Sequence, residues 1–153
     1  MRKLSLNKKV TFKIFHYLPS EAIKIREEVF VKEQGFKEEF DSLDKISTHV
    51  LCFIDDDPAA NGRFYFDQNK NVFIIGRIAV LKKYRNDHIG EKLMKEIEKE
   101  ISKLGNFDIE LAAQVQAIPF YEKCGYTKVG ETFLDEYCPH QPMLKKCLVL
   151  EKK

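Results

Sequence analysis

Apolar and polar positions change period several times along this chain, and each change marks an element. Val10 to Tyr17 (VTFKIFHY) is β-branched and aromatic with partial alternation, the pattern of a half-buried strand. Pro19-Ser20 breaks it. Ser20 is placed as the N-cap of a helix from about Glu21 to Glu33, in which Ala22, Ile25, Val29 and Phe30 recur at helical spacing. Gly35 supplies the stop. Phe36 to Asp44 (FKEEFDSLD) has no clean period and reads as a short helix or loop whose acids form a solvated face. Strand patterning returns at Ser47 to Ile54, Ala59 to Phe66 and Val72 to Leu81. The stretches between, Asp55 to Pro58 and Asp67 to Asn71, carry short polar side chains that bond their own backbone and so make turns. Asn61-Gly62 inside the second of these strands reads as a bulge. Sequential strands joined by short turns pair antiparallel.

The second half is organised around Ile74 to Gly105. An apolar run to Leu81 empties through a basic loop, Lys82 to His88, into a helix. Ile89, Leu93, Met94, Ile97, Ile101 and Leu104 form its apolar stripe. Phe107 to Ala112 is a strand after a crossover helix, so it pairs parallel to the strand before that helix, with a right-handed connection. Gln114 to Ala117 is a loop. Ile118 to Lys123 is a short helix with Pro119 in its first turn and Gly125 just past its end. Tyr126 to Val129 and Thr132 to Tyr137 are strand-like, Cys138 to Pro142 is a rigid connector, and Met143 to Leu150 is a last strand. The order β-α-(α)-β-β-β-α-β-α-β-β describes a mixed α/β fold. Its central sheet is mostly antiparallel with one parallel pair and is flanked by helices. With no linker or repeat, residues 1–153 read as one domain.

Composition narrows the function by exclusion. A net charge of +2, with bases and acids interleaved, gives no footprint for nucleic acid or an anionic membrane. No apolar run reaches the ~20 residues of a membrane span, and the basic N-terminus lacks an apolar block and cleavage site. Cys52, Cys124, Cys138 and Cys147 are widely spaced with no Cys-x-x-Cys, which disfavours a zinc ribbon or dithiol site. In a cytoplasmic protein, the expected setting, they are free thiols. Asp55-Asp56-Asp57 lacks the ligand spacing and glycine of a calcium loop, and Cys138 with His140 lacks further ligands, so no metal is expected.

The basic loop carries the chemistry. A strand that passes through such a loop into a helix N-terminus binds anions, because the first-turn N–H groups have no intrahelical partner and the macrodipole is positive there. Gly90 lets a phosphate approach that backbone. The loop and its flanks resemble the GCN5-related N-acetyltransferase (GNAT) family. Arg85-Asn86-Asp87-His88-Ile89-Gly90 matches the signature Arg/Gln-x-x-Gly-x-Gly/Ala, with His88 in the place of the first glycine. Ala117-Ile118-Pro119-Phe120-Tyr121 through Gly125-Tyr126 matches the family's Ala-x-x-Phe-Tyr-x-x-x-Gly-Phe/Tyr segment. Arg26 to Gln34, Asp44, His49, Leu111 to Gln114, Pro139-His140 and Met143 resemble the ElaA-like (YjcF-like) branch. Gly-x-Gly-x-x-Gly and Walker-type loops are absent, which removes a nucleotide-binding α/β domain.

The resemblance implies an acyl-CoA-dependent N-acyltransferase that moves an acetyl group from acetyl-CoA to an amine, by direct attack in a ternary complex. The acceptor is a small-molecule or peptide amine and the protein a monomer or homodimer. It implies that Arg85, Asn86, Asp87, His88, Ile89, Gly90 and Glu91 hold the diphosphate. The main chain of Ile78, Ala79 and Val80 takes the pantetheine arm as an added strand. Gln114 and Ala117 line the same channel. Tyr121 is the general acid for the departing thiolate, since a phenol donates to a thiolate of comparable pKa. His88 either keeps the loop right-handed or itself reaches a phosphate. Glu33, Gln34 and His140 are the acceptor-side candidates. Glu28, Asp41, Asp44, His49 and Glu110 complete the list of possible bases. A water chain is the alternative base, and a non-catalytic CoA-binding module is the alternative function.

Overall fold

A computed structural model describes residues 8–147; the first seven residues and the expected strand positions Leu148 to Leu150 lie outside the described residues. Eight strands form one sheet in the order β1-β2-β3-β4-β5-β8-β6, with β7 also on β8. They are β1 (Val10–Phe15), β2 (Thr48–Ile54), β3 (Asp57–Asp67), β4 (Val72–Val80), β5 (Ile109–Gln114), β6 (Thr127–Lys128), β7 (Phe133–Asp135) and β8 (Cys138–Lys145). The pairs β1–β2, β2–β3 and β5–β8 are antiparallel, whereas β4 and β5 are parallel, Phe73 to Ile75 facing Ile109 to Leu111. The helices are α1 (Ser20–Arg26), α2 (Ile89–Ser102) and α3 (Ile118–Lys123).

The chain divides into two compact units. One holds the residues up to Tyr65 together with Arg77–Glu98, and the other holds Phe66–Gly76 and the chain from Lys99 onward. In the first, α1 buries Ala22 and Ile25. The cap of α1 is Pro19, not Ser20: Pro19 is extended and its oxygen takes the first N–H groups, while Ser20 is already helical. After Arg26 the helix widens into a π-helix, Glu27–Glu33, and stops at Gly35 with φ +83°, where a side chain would be strained. α2 buries Ile89, Leu93, Met94, Ile97 and Ile101, but Leu104, expected on the same stripe, lies past the helix end and is exposed. The bulge in β3 is not at Asn61-Gly62, which sit in regular register. It is at Ala59, the extra residue opposite Cys52-Phe53. Gly62 has a different purpose: a Cβ there would meet Ile97 Cδ1 at 2.6 Å and Ile78 Cδ1 at 2.7 Å.

In the second unit Phe66, Phe73 and Phe107 pack with ring centroids 5.2 to 5.3 Å apart. The supposed connector Cys138 to Pro142 is the first half of β8. Two prolines there hid a strand that pairs on both edges. Pro142 is tolerated because the edge opposite it is irregular between β6 and β7. The Gln141 side chain serves that gap, its Nε2 donating to the oxygens of Val129 at 3.0 Å and Gly130 at 3.2 Å.

Candidate functional site

In the first unit, β4 leads through a short 3-10 turn at Lys82–Tyr84 into the loop and α2. The buried Tyr84 ring and the bond from Leu81 N–H to Ala59 O anchor the turn. His88 takes φ +60°, so the right-handed alternative is excluded: a residue with a side chain adopts the conformation that the signature gives to glycine. His88 Nδ1 lies 2.8 Å from Glu91 Oε1, one turn into α2, and its ring is exposed. The histidine thus finds a partner on the helix it precedes. Ile89 is buried, while Gly90 and Glu91 are half-exposed at the helix start.

Arg85 is held from two sides. Its Nε donates to the main-chain oxygen of Val80 at 2.8 Å, and Nη1 and Nη2 grip both oxygens of Glu33 at 2.6 and 2.7 Å. The hydrogen bond from Arg85 lowers the Glu33 pKa, so this carboxylate is ionised throughout the neutral range. Two residues expected on different substrates are therefore joined. Gln34, beside Glu33, closes the π-helix with its N–H on Val29 O.

A cluster that the sequence did not single out lies in the same unit. Arg26, fully buried, donates Nε to Glu39 at 2.9 Å and Nη1 to Asp44 at 2.7 Å. Arg63 Nη1 reaches Asp41 at 2.8 Å and Asp44 at 2.7 Å. Arg77 reaches Glu39 at 2.8 Å and Asp41 at 3.3 Å. Glu39 and Asp44 are therefore not on a solvated face, as expected for this segment: both are buried against arginines, which outweigh the cost of desolvation at Asp44 and offset only part of it at Glu39. Burial alone pushes the Asp44 pKa up, but hydrogen bonds from Arg26 and Arg63 outweigh it and hold it down to about 2. Asp41 is held low in the same way, while burial leaves Glu39 above its usual value. His49, from β2, places Nε2 2.9 Å from the main-chain oxygen of Asp44, and burial keeps it neutral. None of these groups is a poised base. Glu28 and Glu110 pair with Lys32 and Lys70 at the surface. The missed signal was two arginines, Arg63 and Arg77, standing inside apolar strand runs.

Arg77 also departs from extended backbone within β4. It has φ +56° in mid-strand, and its oxygen accepts from Asn61 Nδ2. A non-glycine residue in that region is strained and needs such anchors. Ile78, Ala79 and Val80 follow it directly; Ala79 is buried and the other two are half-exposed.

In the second unit, β5 ends at Gln114, a single 3-10 turn covers Val115–Ala117, and α3 carries Tyr121. The Tyr121 ring meets Phe120 at 4.9 Å and Tyr126 at 6.3 Å, both edge-on. Burial first, and Cys124 second, raise the Tyr121 pKa well above the usual phenol value. Ala117 is half-buried. His140 is on β8, not on a loop, and is the cross-strand partner of Gln114. Its Nδ1 lies 3.0 Å from Cys138 O and its ring stacks on Phe133. The structure thus brings one expected cofactor residue beside one expected acceptor residue. No group of three metal-ligating side chains occurs among the described residues, and no helix there is long and apolar enough to cross a membrane.

Comparison with known proteins settles what this arrangement belongs to. Residues 17–147 match the acetyltransferase (GNAT) domain family. The chain is a GNAT protein. YjcF of Bacillus subtilis, described as an uncharacterized N-acetyltransferase, is 39% identical over 128 residues, covering 82% of this chain and 90% of that protein. Among solved structures, an acyl-CoA N-acyltransferase from Pseudomonas aeruginosa has a TM-score of 0.78 at 25% identity, covering 90% of this chain and 99% of the other. ElaA of Escherichia coli has a TM-score of 0.80 at 23% identity, covering 90% and 100%, and shares the fold. As a GNAT member the chain is an acyl-CoA-dependent acetyltransferase acting on an amine acceptor. Its open mixed sheet with one parallel pair is that of the acyl-CoA N-acyltransferases.

Proposed function

We propose that this GNAT enzyme uses acetyl-CoA as its donor and acetylates a small-molecule or peptide amine by direct attack in a ternary complex, in the cytoplasm, as a monomer or homodimer. The carrying observation is the loop Arg85 to Glu91, where His88 is held at φ +60° ahead of α2. The strain of that conformation has a reason if the loop's main-chain N–H groups must converge on a diphosphate. In this reading Asn86, Asp87, Ile89 and Gly90 contribute main chain, and the arm runs along Ile78, Ala79 and Val80 as an added strand. An N–H of that strand polarises the thioester carbonyl and stabilises the oxyanion of the tetrahedral intermediate. Gln114 and Ala117 line the channel, and Gln34 and His140 face the acceptor.

Tyr121 is the proton donor in this scheme. With its pKa raised it stays protonated at every working pH. Its proton moves only as the C–S bond breaks and negative charge gathers on sulfur. Deprotonation of the amine falls to His140 or water, because the candidate carboxylates are engaged with arginine or lysine. That last observation is also the one that favours the second reading, a CoA-binding module without turnover.

Free-thiol release from acetyl-CoA over a broad amine panel, beside calorimetry with CoA, tests both. Turnover on any amine supports the enzyme, and binding without turnover supports the module. Failure to bind CoA removes both. A CoA complex in which the main chain of Ile78 to Val80 stays paired within the sheet removes the added-strand geometry.

A further inference from the structure

Glu33 is the residue whose placement departs furthest from expectation. Its neighbours in sequence point to the amine side, yet its carboxylate is bound to Arg85 by two short, parallel hydrogen bonds. Arg85 in turn is tied to Val80, the last residue of β4, through Nε. A guanidinium has five N–H donors in one plane. Three are taken here, one by the strand end and two by the end of the π-helix. One N–H on each terminal nitrogen remains, on opposite edges of the plane, so a given ligand group meets one of them. The fork is thus fixed in position and orientation before any ligand arrives.

Magnitudes decide what this pair is for. The two side chains are 36% and 38% exposed, and an exposed pair adds little to stability. A free arginine side chain, by contrast, carries rotamer entropy, which a ligand must overcome to grip it. The carboxylate also adds a repulsion toward any bound phosphate. Its charge is paired with the guanidinium and screened by solvent, which reduces that repulsion.

We propose that Glu33 is a positioning residue for the cofactor: it holds Arg85 so that one of the guanidinium's remaining N–H groups meets the diphosphate of CoA, and it does not touch the amine. This rests on the acetyl-CoA reading of the loop. The π-helix has a part in it, since it carries Glu33 to the strand end. The first unit thereby joins its helical segment to the cofactor loop through one carboxylate.

The test uses the full-length protein, CoA calorimetry, and separate KM values for acetyl-CoA and for an amine found by the panel. Glu33→Ala raises the CoA Kd about tenfold and the KM for acetyl-CoA with it, and leaves the amine KM unchanged. Glu33→Gln, which keeps an acceptor oxygen, recovers part of the loss. In an Arg85→Ala background, Glu33→Ala adds nothing further. Thermal unfolding of each variant near the wild-type midpoint shows that the effect is on binding. Tighter or unchanged CoA binding by Glu33→Ala overturns the proposal, as does a rise confined to the amine KM or full additivity with Arg85→Ala. Absence of CoA binding by the wild-type protein is a different result and overturns the cofactor reading itself.

Discussion

Asn61 donates its side-chain amide to the main-chain oxygen of Arg77 across 3.1 Å, from one strand to the next. The bond holds a residue with φ +56° in the middle of β4, immediately before Ile78. Asn61→Ala removes the donor and leaves that oxygen unpaired, at a cost of about 1–2 kcal/mol. Urea unfolding reads this as a lower midpoint with an unchanged slope. Under the added-strand reading the KM for acetyl-CoA rises as well.

Gly62 is required by its neighbours' side chains. Alanine there overlaps the terminal methyl groups of Ile97 and Ile78. These are ends of flexible side chains, so Gly62→Ala costs about 1–3 kcal/mol and the protein still folds. Ile97→Val deletes one of the two clashing methyls. The double variant is more stable than Gly62→Ala alone, as denaturant midpoints will show. A double variant no better than the single one would mean that the clash is relieved elsewhere.

The arginine–carboxylate cluster is costly to break. Asp44→Asn leaves Arg26 and Arg63 buried against a neutral amide, and the loss is about 3–5 kcal/mol. The exposed pair Lys32–Glu28, at 3.8 Å, is the contrast: Glu28→Gln leaves the unfolding midpoint where it was.

Acid should unfold the protein in two stages. His49 has a folded pKa below 6.5, so the unfolded chain takes up a proton first and stability declines as pH falls below 6.5. Asp44, ionised in the fold down to about 2 against an ordinary 3.8, adds a second loss between those values. Glu39 works against this trend, since its raised pKa makes its contribution larger at low pH. Replacing His49 with Asn removes the upper stage from a plot of denaturant midpoint against pH. A plot for that variant identical to the wild type excludes His49 as its source.

Tyr121→Phe is expected to lower kcat about 10²-fold while the CoA Kd holds steady. Because the phenol pKa is raised, kcat/KM of the wild type has no alkaline limb from this residue below pH 10. An unchanged kcat in the phenylalanine variant removes the donor role.

The sequence made the periodic elements legible and the special ones only in part. α2 was readable because burial of one face leaves a period, and β1 and β2 because β-branched and aromatic residues crowd them. β8 was not, because Pro139 and Pro142 imitate a connector, whereas pairing with β5 and β7, helped by the Gln141 side chain bonding across the gap, lets a strand continue through them. The acids of Phe36 to Asp44 looked solvated because their partners Arg63 and Arg77 lie far along the chain on other strands. The loop was found from its signature, but the φ of His88 was left open, since the signature's glycine allows a left-handed turn and a histidine disfavours it. Glu33 was singled out for the amine, although a pairing 52 residues away in sequence places it on Arg85.

The π-helical segment Glu27–Glu33 sets a phase as well as a path. Each residue of an ordinary helix turns the chain by about 100°. Deleting one residue between Glu27 and Lys32 would let the segment relax to that narrower winding with little change of bearing, because six residues of it turn about as far as seven of the wider π winding. Deleting two would swing Glu33 off Arg85 by about 100° with its chemistry intact. The bearing of Arg85 is thus recorded in the residue count of a helix that follows β1, and that helix has a single residue to spare before the bearing is lost.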